Sequence, residues 1–168
     1  IAWDHINVFP TFESYVEQFE LFLDKITSGG SVIYNAEDEV LAKIVAASEN
    51  TIKKYPYKTP EHEIQDGITL LDTPEGLMPM EVFGKHNLQN VEGARWICQL
   101  MGVDEIDFYE AIASFTGASK RLEKIYESPE TVVYKDYAHS PSKVEATTAA
   151  VKEQYPDKML IACLELHT

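Results

Sequence analysis

The chain has 168 residues, room for one ordinary domain or parts of two, and its 14 Lys and Arg against 28 Asp and Glu give a formal net charge of −14. So acidic a surface repels phosphate backbones and anionic lipid heads, which argues against nucleic acid or membrane as partner, and no run approaches the roughly 18 apolar residues of a membrane span. With 45% hydrophobic and 11% aromatic residues the chain can build a core, which excludes disorder. Cys98 and Cys163 each lie in an apolar run and read as buried, reduced thiols of a soluble cytoplasmic protein. The chain opens Ile1-Ala2-Trp3-Asp4-His5 without Met and stops at Leu166-His167-Thr168, so it is expected to be a piece of a longer protein.

Phe12, Tyr15, Val16, Phe19, Leu23 and Ile26 recur at three- and four-residue spacing and predict an amphipathic helix, with Thr11 as N-cap and Gly29-Gly30 as its stop. Ser31–Asn35 reads as a short buried strand and Glu37–Ser48 as a second helix, an alternation typical of α/β folds. Between Thr51 and Phe83 the β-rich pieces Thr51–Lys53, Ile68–Leu71 and Met80–Phe83 are broken by Pro56, Pro60, Pro74 and Pro79. Short antiparallel or edge strands are expected there, because proline cannot donate to a central ladder. Helices follow over Leu88–Met101 and, behind the cap Asp104, to Phe115. Thr116-Gly117-Ala118-Ser119 is a small-residue joint, so a domain boundary is expected with residues 1–118 before it and 119–168 after it. Strands at Leu122–Tyr126 and Thr131–Lys135, a helix opened by Ser140-Pro141, and a strand at Lys158–Leu164 complete a β-β-α-β unit.

Four constellations could carry chemistry. Asp4-His5, read as following a strand end, could bind a metal or phosphate, or could be a plain surface pair. Gly84-Lys85-His86-Asn87-Leu88-Gln89-Asn90 puts Asn87 and Asn90 on one face of a helical first turn, where amides can read a purine edge or simply cap and solvate. Lys120-Arg121, beside the joint, could close on a phosphate or stay solvated. Lys135-Asp136-Tyr137-Ala138-His139-Ser140-Pro141 runs from a strand end into a helix N-terminus, which favours anions. There Asp136 could hold ribose hydroxyls and His139 could face a phosphate, while capping alone accounts for Ser140-Pro141. His62 and His167 carry no functional assignment.

Taken in order, Asp-His, Gly-x-His-Asn-x-x-Asn, Arg-x-Glu and Asp-Tyr-Ala-His-x-Pro resemble the Mur ligase family, the ATP-dependent amide-forming ligases of peptidoglycan synthesis. The resemblance runs from Ile1 to Thr168. It implies an α/β chain holding the second half of a central ATP-binding domain, then the first part of a Rossmann-like C-terminal domain. It also implies ATP and Mg²⁺ as cofactors, with UDP-N-acetylmuramate and an amino acid or peptide as substrates. By the same resemblance His5 is a Mg²⁺ ligand, Asn87 and Asn90 contact adenine, Arg121 meets the γ-phosphate, Asp136 holds the ribose, and His139 lies near the phosphate and amine end.

Phe19 stands where most members carry a metal-bridging, carbamylated lysine, a departure shared by two branches. One attaches the tripeptide L-alanyl-γ-D-glutamyl-meso-diaminopimelate to UDP-N-acetylmuramate in recycling, and the other adds L-alanine in de novo synthesis. Trp3–Phe9 and Ala118–Glu123 look most like the tripeptide branch, which is therefore expected, with the L-alanine branch as alternative. His139-Ser140-Pro141 replaces the His-His-Pro of both branches and is closer to later-acting ligases. A domain that keeps the fold without the chemistry is the rival from another class. No Gly-x-x-x-x-Gly-Lys-[Ser/Thr] phosphate loop occurs in the 168 residues, so the chain by itself is expected to be inactive.

Overall fold

The computed structural model describes residues Ile1–Leu164; His167 lies outside them. The chain forms two compact units, one built from residues 1–59 and 89–103, the other from 60–88 and 104 onward.

The first unit opens with helix α1 (Phe12–Asp24). Thr11 caps it as expected: its Oγ1 accepts from Ser14 N at 3.1 Å, and Ser14 Oγ accepts from Thr11 N at 3.3 Å. Around its far end Asn50 Nδ2 donates to the Leu23 and Ile26 carbonyls, both at 2.9 Å, tying the segment before β2 to the end of the helix. Strand β1 (Ser31–Asn35) pairs in parallel with β2 (Lys53–Tyr57), Ser31 opposite Lys53, and helix α2 (Glu39–Ala47) makes the crossover that parallel strands require. The helix starts at Glu39, two residues later than expected, because Asp38 caps it by accepting from Leu41 N at 2.9 Å. Leu23, Val32, Ile44 and Val45 form the core, and Phe19 packs against it. Helix α3 (Lys85–Leu100) contributes its residues from Gln89 onward to this unit. There Trp96 packs on Tyr55 with ring centroids 5.6 Å apart.

In the second unit β3 (His62–Gln65), β4 (Ile68–Thr73) and β5 (Gly76–Met80) make an antiparallel meander with β4 in the middle. Pro79 sits on the edge strand β5, the placement its missing N–H demands. Met80–Phe83 is not the strand expected, because pairing with β4 runs over Gly76–Met80 and ends there. Val82 and Phe83 are nonetheless buried. Helix α4 (Glu105–Ala113) follows its cap Asp104, whose Oδ1 accepts from Ile106 N at 2.9 Å. Strands β6 (Glu123–Glu127) and β7 (Val132–Lys135) form an antiparallel pair, and helix α5 (Pro141–Gln154) packs Ala150 and Val151 against Phe83 and Leu122.

Two sequence expectations fail here for one physical reason. Neither Ile1–Trp3 nor Lys158–Leu164 is a strand, because no ladder neighbour exists for either among the described residues. Apolar character makes a segment able to be a strand; a partner makes it one. Met159 and Ile161 are accordingly exposed. The cysteines also differ from expectation: both are free thiols, but Cys98 is half-buried and Cys163 is exposed. No helix among the described residues is long and apolar enough to cross a membrane.

Candidate functional site

The second unit holds Asn87, Arg121, Asp136 and His139 among the residues singled out from the sequence. Arg121 stands on a tight loop in which Lys120 and Leu122 both adopt positive φ, 57° and 49°. Left-handed backbone is uncommon for any side chain but glycine, and it concentrates at working sites when the surroundings hold it. Here they do. Leu122 is buried with Phe83 and Ala150, Arg121 N donates to Ala118 O at 3.0 Å, and Glu123 accepts from Lys120 N at 2.8 Å and Ser119 Oγ at 3.2 Å. These donors, the Lys120 amide above all, hold the Glu123 carboxyl below the usual carboxylate range. The Glu of Arg-x-Glu thus fixes the loop that presents the Arg.

The Arg121 guanidinium lies over the Tyr137 ring at 5.9 Å, and the Tyr137 and His139 rings are 4.8 Å apart. His139 Nδ1 is 2.8 Å from Tyr137 O. A carbonyl only accepts, so Nδ1 is the donor in this contact. Asp136, at the end of β7, accepts from Tyr137 N on Oδ1 at 2.7 Å and from Thr147 Oγ1 on Oδ2 at 2.5 Å. A carboxylate offers about four acceptor positions, so two remain for a diol or an amine. His86 is close enough to feel the Asp136 charge, yet its pKa is lowered because burial outweighs that pull. Gly84 permits this packing: with φ of 83°, a Cβ there would fall 2.4 Å from Ala150 Cβ.

Ser140 occupies the N-cap position of α5 but makes no side-chain cap bond. Its hydroxyl is turned inward and buried without a hydrogen-bond partner among the described residues, so capping does not account for it.

The remaining candidates are placed as follows. Asn87 turns one Nδ2 hydrogen back to Phe83 O at 2.9 Å, leaving Oδ1 and the second N–H to offer a ligand. Asn90, three residues further along α3, is exposed. In the first unit the carboxyl ends of β1 and β2, where α/β sheets bind ligands, carry a cluster the sequence did not disclose. Glu37 Oε2 accepts from Thr59 Oγ1 at 2.5 Å, Thr59 N at 3.2 Å and Gln89 Nε2 at 2.8 Å, tying both strand ends to α3. His5 is exposed in a turn with φ of 55°, its N–H bonded to Asp4 Oδ1 at 2.8 Å and its carbonyl accepting from Val8 and Phe9. Phe19 is a packed aromatic and offers no metal ligand. Among the described residues no three His, Cys, Asp or Glu side chains are grouped to hold a metal. His5 fits a hard cation only as one ligand among phosphate oxygens and waters, the way Mg²⁺ is commonly held.

Residues 1–98 match the Mur ligase middle domain. The chain belongs to the Mur ligase family. Similar in sequence is the UDP-N-acetylmuramate–L-alanine ligase of Caldicellulosiruptor saccharolyticus, 29% identical over 173 residues that cover 94% of this chain and 37% of that protein. Other relatives at 23–29% identity carry the same name. Among solved structures, the UDP-N-acetylmuramate–alanine ligase of Thermotoga maritima shares the fold with a TM-score of 0.66 at 20% identity, over 92% of this chain and 37% of that one. The murein peptide ligase of Psychrobacter arcticus does so with a TM-score of 0.58 at 22% identity, over 84% of this chain and 32% of that one. The Mur ligase chain spans 37–42% of the length of the curated relatives it matches.

Proposed function

We propose that the chain is part of a cytoplasmic, ATP-dependent ligase that forms an amide between the carboxylate of UDP-N-acetylmuramate and L-alanine. The observation that carries this reading is the match of residues 1–98 to the Mur ligase middle domain, and the shared name of the relatives favours L-alanine over the tripeptide. In this reading residues 1–118 are the later part of the central ATP-binding domain and residues 119–168 begin a Rossmann-like C-terminal domain. ATP with Mg²⁺ supplies the phosphoryl group that activates the carboxylate as an acyl phosphate, from which the attacking amine displaces phosphate.

The residues act by position and charge. His5 contributes one Mg²⁺ ligand. Asn90 and the free Oδ1 of Asn87 meet the adenine edge, and Asp136 accepts from the ribose hydroxyls. Arg121, held by the Glu123-braced loop and the Tyr137 ring, neutralises charge developing on the γ-phosphate. His139, oriented by its Nδ1 contact to Tyr137 O, stands at the phosphate and amine end. The tripeptide remains the second reading, favoured by Trp3–Phe9.

The test uses the full-length parent. Phosphate release is followed with ATP, Mg²⁺ and UDP-N-acetylmuramate, adding L-alanine or L-alanyl-γ-D-glutamyl-meso-diaminopimelate. Release with L-alanine alone is expected. Release with tripeptide alone would select the second reading, and release with neither would remove the ligase assignment.

A further inference from the structure

We propose that Thr147 is a positioning residue for the Asp136 carboxylate, fixing its plane so that its open acceptor positions face the two hydroxyls of a nucleotide ribose. The inference rests on the ribose reading of Asp136 given above. Asp136 is half-buried at the end of β7, and its two oxygens are engaged by one donor each, Tyr137 N on Oδ1 and Thr147 Oγ1 on Oδ2. One donor would leave the carboxylate free to turn about its terminal torsion, which is broad and roughly two-fold. Two donors on separate oxygens hold it in one plane. What remains open is one acceptor position on each oxygen, the arrangement that a vicinal diol can meet with both its O–H groups.

The sequence around Thr147 supports a purpose beyond helix formation. Threonine is a mediocre helix residue, and inside a helix its hydroxyl usually bonds back to its own turn. Thr148 does this, donating to Val144 O at 2.8 Å and close to Glu145 O at 3.1 Å. Its neighbour Thr147 instead reaches out of α5 to Asp136, eleven residues away in sequence. Both residues line an open cavity of about 1240 Å³, together with His139 and Tyr134. Burial of His86 disfavours its cationic form, so it does not act as a counter-ion that would occupy the carboxylate instead.

The experiment measures binding of ATP and of 2′,3′-dideoxy-ATP to the full-length parent, as wild type, Thr147→Val and Thr147→Ser. Wild type is expected to prefer ATP by roughly tenfold or more, the worth of a charged hydrogen bond. Thr147→Val, which keeps the shape and removes the donor, is expected to bring that preference to about twofold by weakening ATP and sparing the dideoxy analogue. Thr147→Ser is expected to keep it; Thr147→Ala replaces the valine variant should that one not fold. Full discrimination in the variants lacking the hydroxyl overturns the inference, as does an equal loss for both nucleotides, which would mark a merely structural role. Absence of discrimination in the wild type overturns the ribose reading of Asp136 itself.

Discussion

Burial around His86 disfavours the imidazolium more than the Asp136 charge favours it, so its pKa in the folded chain lies below the ordinary value. As pH falls, the unfolded chain takes up this proton first. The contribution of His86 to stability is therefore full above the unfolded pKa of about 6.5 and is lost as pH drops through the folded value. Thermal unfolding between pH 7.5 and 5 should show this loss, and His86→Gln should flatten the profile; parallel curves for the two proteins would contradict it. His86 also marks what the sequence discloses at this scale and what it withholds. The polar residues Arg121, Asp136 and His139 stand out by type and spacing. Tyr137, which joins Arg121 to His139, lay inside a quoted motif without a role, because nothing local says that a tyrosine will meet an arginine sixteen residues before it. Thr147 and Glu37 were silent for the same reason: each acts through a partner distant in sequence. A pair of threonines in a helix interior was the one local signal, since β-branched hydroxyl residues ask for a reason there.

Elements with their own start and stop signals were legible: α1, α4 and β1 follow the caps and spacing that predicted them. Elements defined by partners were not. Proline marks the middle region as short antiparallel or edge strands, and β3–β5 are antiparallel with Pro79 on an edge, but the β2 and β5 boundaries differ by several residues because the ladder sets them. Lys158–Leu164 has the composition of a strand and lacks a neighbour among the described residues. Packing between elements can depend on a single polar side chain. Gln154, at the end of α5 and 3% exposed, accepts from Thr69 Oγ1 on β4 at 2.8 Å and donates to Gly67 O at 2.6 Å. Gln154→Leu strands the buried Thr69 hydroxyl and leaves the half-buried Gly67 carbonyl without its donor, and should lower stability by about 1–3 kcal/mol. Urea unfolding checks this, and pairing the change with Thr69→Val should recover part of the loss, since an apolar pair of similar shape leaves fewer orphaned groups. An unchanged midpoint in the single variant would contradict the account.

At the scale of the molecule, each compact unit is assembled from segments separated in sequence, and α3 contributes to both. That is why local composition points to a joint near Ala118-Ser119 without describing how the described residues cluster. The family was legible because its motifs combine spacing with chemistry: an Asp at a strand end, a pair of cations beside a small-residue joint, and two amides three residues apart on a helix. The amine was harder to read. Few residues distinguish one branch from another, and Trp3–Phe9 and Ala118–Glu123 point towards the tripeptide, against the names of the sequence relatives.

Activation as an acyl phosphate requires that a carboxylate oxygen of the sugar acid passes to phosphate on the way to the amide. The direct measurement supplies the full-length parent with UDP-N-acetylmuramate labelled with ¹⁸O in its carboxylate, together with ATP, Mg²⁺ and L-alanine. Mass spectrometry of the released phosphate should find one carboxylate-derived oxygen for each amide formed. Amide formed with unlabelled phosphate would contradict the account.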